Sequence, residues 1–171
     1  MDAVAARARA VRLAIFDVDG VMTDGTLFIG AQGEAFKAFN ILDGHGVKML
    51  QSAGVATAII SGRSSEAVAR RAAELGIEHV VQGSSDKVAA FEALIALLDL
   101  TGEQCAFVGD DLPDLAVMRR CGFAVAVANA AEAVKSAAHY VTRASGGRGA
   151  VREFCELVLA AQAEPATRSA S

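Results

Sequence analysis

Tryptophan is absent, tyrosine occurs once, and basic residues are outnumbered, 16 against 20 acidic ones. A formal charge of −4 gives no positive footprint for a polyanion, which argues against nucleic acid as a partner. The three cysteines, Cys105, Cys121 and Cys155, are odd in number and widely spaced. Without CxxC spacing they suggest neither a disulfide framework nor a zinc site, and they read as small core side chains kept reduced in a cytoplasmic protein. Long apolar runs are also missing. The run LAIF behind Arg7, Arg9 and Arg12 is too short for the apolar part of a secretion signal, and no stretch approaches a membrane span. A chain of 171 residues holds one full core with little room for a second, so one domain is expected over residues 1–162.

What is present is organised around Leu13 to Gly25, LAIFDVDGVMTDG. Four apolar residues without a polar face suit a strand buried on both sides of a parallel sheet. The strand stops at Asp17 and Asp19, where the edge of an open α/β sheet binds ligands. Two carboxylates this close repel each other, and a hard cation such as Mg2+, which prefers oxygen ligands, relieves the repulsion. Taken alone, DVDG reads equally well as a solvated Asp-Gly turn.

The rest of the chain repeats the pattern. TLFIG and EAFKAF flank Ala31-Gln32-Gly33 and read as a β-hairpin over about 26–39, with Phe28, Phe36 and Phe39 giving it an apolar surface that invites a partner. A helix over 44–53 leads to the strand VATAII, which ends at Ser61-Gly62-Arg63. A hydroxyl, a glycine and a helix N-terminus there suit a phosphate oxygen, although Ser is also an ordinary helix cap. Lys87 opens a further helix, where a cation opposes the macrodipole and so points to a task elsewhere. QCAFV then breaks at GDDLPD, a second acidic edge containing Asp110, Asp111 and Asp114. Gly146-Gly147-Arg148-Gly149 introduces an amphipathic last helix, and residues 163–171 read as a frayed tail.

In this order DVDG, SGR, Lys87 and GDDLPD resemble the haloacid dehalogenase superfamily of aspartate-nucleophile phosphatases, and the likeness covers nearly the whole chain. FDVDGVMTDG, the hairpin, FNILDGHG, IISGR, GDDLPDL and above all GGRGAVRE are similar more narrowly to its 3-deoxy-D-manno-octulosonate 8-phosphate phosphatases. The resemblance implies a three-layer, Rossmann-like α/β fold: a mostly parallel sheet with helices on both faces, a hairpin insertion and no cap domain. It also implies a Mg2+-dependent hydrolysis of an anionic sugar phosphate for lipopolysaccharide, through an aspartyl-phosphate. Asp17 is then the nucleophile and Asp19 the acid and base, with Ser61, Gly62 and Lys87 on the phosphoryl oxygens. Mg2+ falls to Asp17, the Asp19 carbonyl and Asp110, supported by Asp111 and Asp114. Lys48, Arg63 and Arg71 fall where basic residues face the sugar acid, Asp43 to Gly46 line the same mouth, and His45 reads as a bystander.

The resemblance further implies a homotetramer joined through the hairpin. The segment 145–162 is expected to close a neighbouring subunit's site, with Arg148 reaching the anionic sugar. One departure is visible: Val21 follows Gly20 where the wider superfamily has a threonine, and Thr23 comes later. Two alternatives stand beside this reading, a phosphatase for a related nine-carbon acid sugar and a non-catalytic oligomerisation module of sialic-acid pathways.

Overall fold

The computed structural model describes residues 3–163. Of the tail expected to fray over 163–171, only Ala163 falls inside that range, at the end of the last helix; the remainder lies outside the described residues. Strands β1 (Leu13–Phe16), β6 (Cys105–Gly109) and β7 (Phe123–Ala126) are buried at every position, as their unbroken apolar runs require. With β4 (Ala56–Ile60), β5 (His79–Val81) and β8 (Tyr140–Val141) they form one sheet in the order β5-β4-β1-β6-β7-β8, every pair parallel.

That order locates the site. From β1 the chain steps outward to β4 and β5 through α2 (Ile41–Ser52) and α3 (Glu66–Leu75). It then crosses back through α4 (Lys87–Leu97) to β6, and proceeds the other way through α5 (Leu115–Met118) and α6 (Glu132–Ala137). Right-handed crossovers place the outward helices on one face and the returning helices on the other. Packing follows this division: α2 meets α3, and α4, α5 and α6 pack in sequence. The reversal falls between β1 and β6, which opens the crevice where α/β sheets bind ligands. Helices α1 (Ala3–Ala10) and α7 (Ala150–Ala163) complete the first face, and Phe154 of α7 meets Phe16 edge-on at 5.8 Å between ring centres.

Helix α2 starts earlier than the expected residue 44, because the Asn40 side chain accepts from the amides of Leu42 and Asp43 at 2.7 and 3.3 Å. Packing against α7 outweighs the cost of Gly44 and Gly46 inside it. The hairpin forms from β2 (Phe28–Gly30) and β3 (Gly33–Phe36), with the Phe28 and Phe36 rings stacked at 4.4 Å. All three cysteines are free and buried, and burial pushes the thiols of Cys105 and Cys121 up to about 12 and about 11, suiting inert core residues. No helix among the described residues is long and apolar enough to cross a membrane.

Candidate active site

The amide of Asp17 still pairs with the Val108 carbonyl, 3.1 Å away, so its side chain leaves β1 at the crevice. Lys87 crosses from the start of α4 and donates to Asp17 Oδ1 at 2.8 Å and Asp114 Oδ1 at 2.7 Å. The helix needs nothing from this lysine. Asp86 supplies the cap, accepting from the amides of Val88 and Ala89 at 3.0 Å each. Burial acts against the ammonium, but the two carboxylates outweigh it and hold Lys87 above its ordinary value. Asp110 stands beside them, and only a glycine fits opposite: a Cβ on Gly20, whose φ is +94°, would lie 2.0 Å from Asp110 Oδ2.

Ser61 is buried at the end of β4 and its Oγ accepts from the Arg63 amide at 3.3 Å, while Ser65, not Ser61, precedes α3. A cavity of about 230 Å3 joins Ser61, Gly62, Arg63 and Lys87 to the acids at 17, 19, 110, 111 and 114. Its floor is open at Gly62, where an added Cβ would meet only the Ser84 carbonyl at 3.7 Å. Thr23 is buried three residues after Gly20. Its Oγ1 accepts from the amides of Gly20 and Gly25 at 3.3 and 3.2 Å and so pins the loop.

Asp19 points elsewhere than Asp17. Its carboxylate takes a hydrogen bond from Lys37, just past β3, and lies 3.6 Å from Arg63 Nε. Glu34 of the hairpin completes the group, 3.0 Å from Lys37 Nζ and 3.5 Å from Arg63 Nη2. The hairpin is therefore folded onto its own site through charged residues, while Leu27, Phe28, Ile29 and Phe36 remain exposed on it. Lys37 and Glu34 escaped the sequence reading, since charges on a hairpin look like ordinary solubilising residues.

Several expected residues are not at this cavity. Lys48 and His45 line a separate groove between α2 and Leu159. Arg71 bonds to Glu74 at 3.1 Å and to the Asn40 carbonyl at 3.5 Å. Arg148 is paired with Asp24 at 3.2 Å, and the segment around it is packed within its own chain. There the Gly146 amide donates to Asn129 Oδ1 at 2.8 Å and the Gly147 amide to the Val21 carbonyl at 2.9 Å. Asp43, expected at the mouth, is buried and accepts from the amides of Gly149 and Arg152 at 3.3 and 2.9 Å, which caps α7 from 106 and 109 residues away.

The donor set fits a hard cation. One carboxylate oxygen from each of Asp17, Asp110 and Asp114 lies within 4.8 Å of the others. Asp114 is already committed, with Oδ1 on Lys87 and Oδ2 accepting from the amides of Asp110 and Asp111 at 2.9 and 3.2 Å. Asp17 gives one oxygen to Lys87, so its other oxygen and the carboxylate of Asp110 are the ones that could hold Mg2+. Burial, then neighbouring negative charge, raises Asp17 to about 6 and Asp110 to about 7.

A raised carboxyl keeps its proton in the native chain at a pH where the unfolded chain has lost it. Stability from these two groups is therefore full below their ordinary value of 3.8 and lost as pH rises toward about 7. Metal-free protein is expected to melt lower at pH 8 than at pH 5.5, and Mg2+ to raise the melting temperature more at pH 8. Asp110→Asn should remove much of the pH slope, on the order of 2 kcal/mol after allowing for partial exposure. Calorimetry at both pH values, with and without Mg2+, checks this; an unchanged slope in the variant counts against it.

A family model described as haloacid dehalogenase-like hydrolase matches residues 74–154. The 3-deoxy-D-manno-octulosonate 8-phosphate phosphatase of Yersinia pestis is 51% identical over 161 residues, covering 94% of this chain and 86% of that protein. The chain belongs to this phosphatase family. The Escherichia coli K12 phosphatase of the same name is 48% identical over 93% of this chain and 85% of its own length. A crystal structure of the Moraxella catarrhalis phosphatase, in complex with magnesium, phosphate and KDO, superposes with a TM-score of 0.92 at 44% identity, covering 95% of this chain and 93% of that one. The family's hydrolase fold is the doubly wound sheet described above.

Proposed function

We propose that this chain hydrolyses 3-deoxy-D-manno-octulosonate 8-phosphate to the free sugar acid and phosphate, a step toward lipopolysaccharide. The observation that carries the reading is the buried Asp17–Lys87–Asp114 arrangement beside Asp110, in a chain about half identical to phosphatases named for that substrate. A carboxylate oxygen of Asp17 attacks phosphorus, the ester P–O bond breaks, and Asp19 gives its proton to the departing sugar oxygen. Water, losing a proton to Asp19, then attacks the aspartyl-phosphate and returns Asp17 as a carboxylate with release of phosphate.

Lys87 orients Asp17 throughout and, with Ser61 and the Gly62 amide, faces the phosphoryl oxygens. Asp17, Asp110 and the Asp19 carbonyl would hold Mg2+, which would supply positive charge to offset the repulsion between the carboxylate and the phosphate. Arg63 is the expected sugar-acid residue that lies at the cavity in its own chain. Lys48, Arg71 and Arg148 lie outside it, so any contact of theirs with substrate comes from a neighbouring subunit.

Assembly as a homotetramer fits the hairpin's exposed side chains. Ile29 is 65% exposed and Ile41 beyond it 79%, a large apolar surface for a lone chain. Phosphate release measured over a panel of acid sugar phosphates, with and without Mg2+, tests the activity. The eight-carbon ester is expected to be preferred, and only with Mg2+. Preference for a nine-carbon ester would move the substrate assignment, and no release at all would leave an oligomerisation module. Light scattering on the same sample is expected to report a tetramer, and a stable monomer at micromolar concentration would sink the assembly.

A further inference from the structure

Asp19 serves as acid and base only if its carboxyl stands where the leaving oxygen departs, yet nothing on its own loop holds that side chain. Its oxygens are met from outside the loop, by Lys37 on one and by Arg63 at 3.6 Å on the other. The two cations are unlike. The Lys37 side chain is 2% exposed, whereas Arg63 is half exposed and beyond ordinary hydrogen-bond distance. Glu34 lies 3.0 Å from Lys37 Nζ, but its Oε2 makes no aligned hydrogen bond, so it balances charge while the directed bond goes to Asp19. Ser65 in turn donates to Glu34 Oε1 and ties the hairpin to the start of α3.

We propose that Lys37 is a positioning residue that fixes where the Asp19 carboxyl stands relative to Asp17, making the hairpin part of the proton-transfer machinery. The role is one of geometry. A buried ammonium with one directed bond restricts a two-oxygen carboxylate to one orientation, and the balancing Glu34 allows that ammonium to be buried. Small displacements of an acid from its reacting atom are costly, so a residue that never meets substrate still governs the rate. The inference rests on the reading of Asp19 as acid, and the test separates the two.

The experiment measures kcat/KM for a series of phosphate monoesters, from p-nitrophenyl phosphate to simple alkyl phosphates, on wild type, Lys37→Met, Lys37→Arg and Asp19→Asn. This ratio reports only steps up to formation of the aspartyl-phosphate, where Asp19 acts as acid. A nitrophenolate leaves without a proton, whereas an alkoxide needs one. Lys37→Met is expected to lose about tenfold to a hundredfold on the alkyl ester and little on the nitrophenyl ester, steepening the dependence on leaving-group basicity. Lys37→Arg should recover much of the loss. A uniform loss across the series, or none, overturns the positioning role, because misfolding or weaker hairpin docking scales every ester alike. Asp19→Asn should show the steepest dependence; if it matches wild type, the reading of Asp19 as acid falls, and the Lys37 inference with it.

Discussion

Asp17→Asn is expected to abolish turnover, by at least about 10^4-fold, while the protein melts within a few degrees of wild type. The amide keeps the volume of the carboxyl but has no electron pair basic enough to displace a sugar oxygen from phosphorus. Stability is spared because the ionised Asp17 is costly where it sits: burial and Asp114 raise it to about 6, so losing its charge removes a penalty along with the bond to Lys87. Lys87 retains Asp114 at 2.7 Å and is not left unpaired. Phosphate release and thermal melting on the purified variant check both halves. Turnover within tenfold of wild type would remove Asp17 as nucleophile.

Gly146→Ala is expected to cost about a hundredfold in kcat/KM and about 2–4 kcal/mol in stability, although residue 146 meets no substrate in this mechanism. A Cβ there would stand 1.7 Å from the Gly20 carbonyl oxygen and 3.0 Å from that of Thr23. Both are backbone atoms of the loop that carries Asp19, and Gly20 is itself wedged against Asp110. Neither neighbour can swing aside as a side-chain tip would. The loop must therefore move, and the displacement reaches Asp19 and Asp110 together. Arg148→Ala gives the contrast, with melting expected close to wild type because Arg148 and Asp24 form a solvent-exposed pair. Steady-state kinetics and melting of both variants decide the matter. A fully active Gly146→Ala enzyme would mean that the glycine segment does not brace the loop. In this structure Gly146 and Gly147 serve close packing and Gly149 serves a left-handed backbone turn at a φ of +107°.

Much of the fold was legible because its signals are local. LAIF has no polar face and QCAFV and VATAII carry one polar residue each, which selects a buried parallel sheet over a half-solvated one, and acids or a hydroxyl end each run. Lys87 could be singled out since its charge opposes the helix dipole, and it proves to be bonded to Asp17 and Asp114. Segment boundaries were less legible. Helix α2 runs through two glycines that intrinsic preference would place outside it, because packing on α7 outweighs about 1 kcal/mol for each.

The order of residue types along the chain determined by itself the sheet, the family and the acidic core of the site, since each rests on a strand and the few residues after it. Tertiary structure alone decided which charges meet. Lys37 reaches Asp19, and Glu34 reaches Lys37 and Arg63, only when the hairpin folds back, and Asp43 caps a helix more than a hundred residues away. Arg71, Lys48 and Arg148 share the sign of charge that a sugar acid needs, yet the faces of α2 and α3 and the packing of the glycine segment turn them from the cavity of their own chain. A side chain's direction depends on contacts made by distant parts of the chain, and no local pattern of charge or hydropathy encodes it.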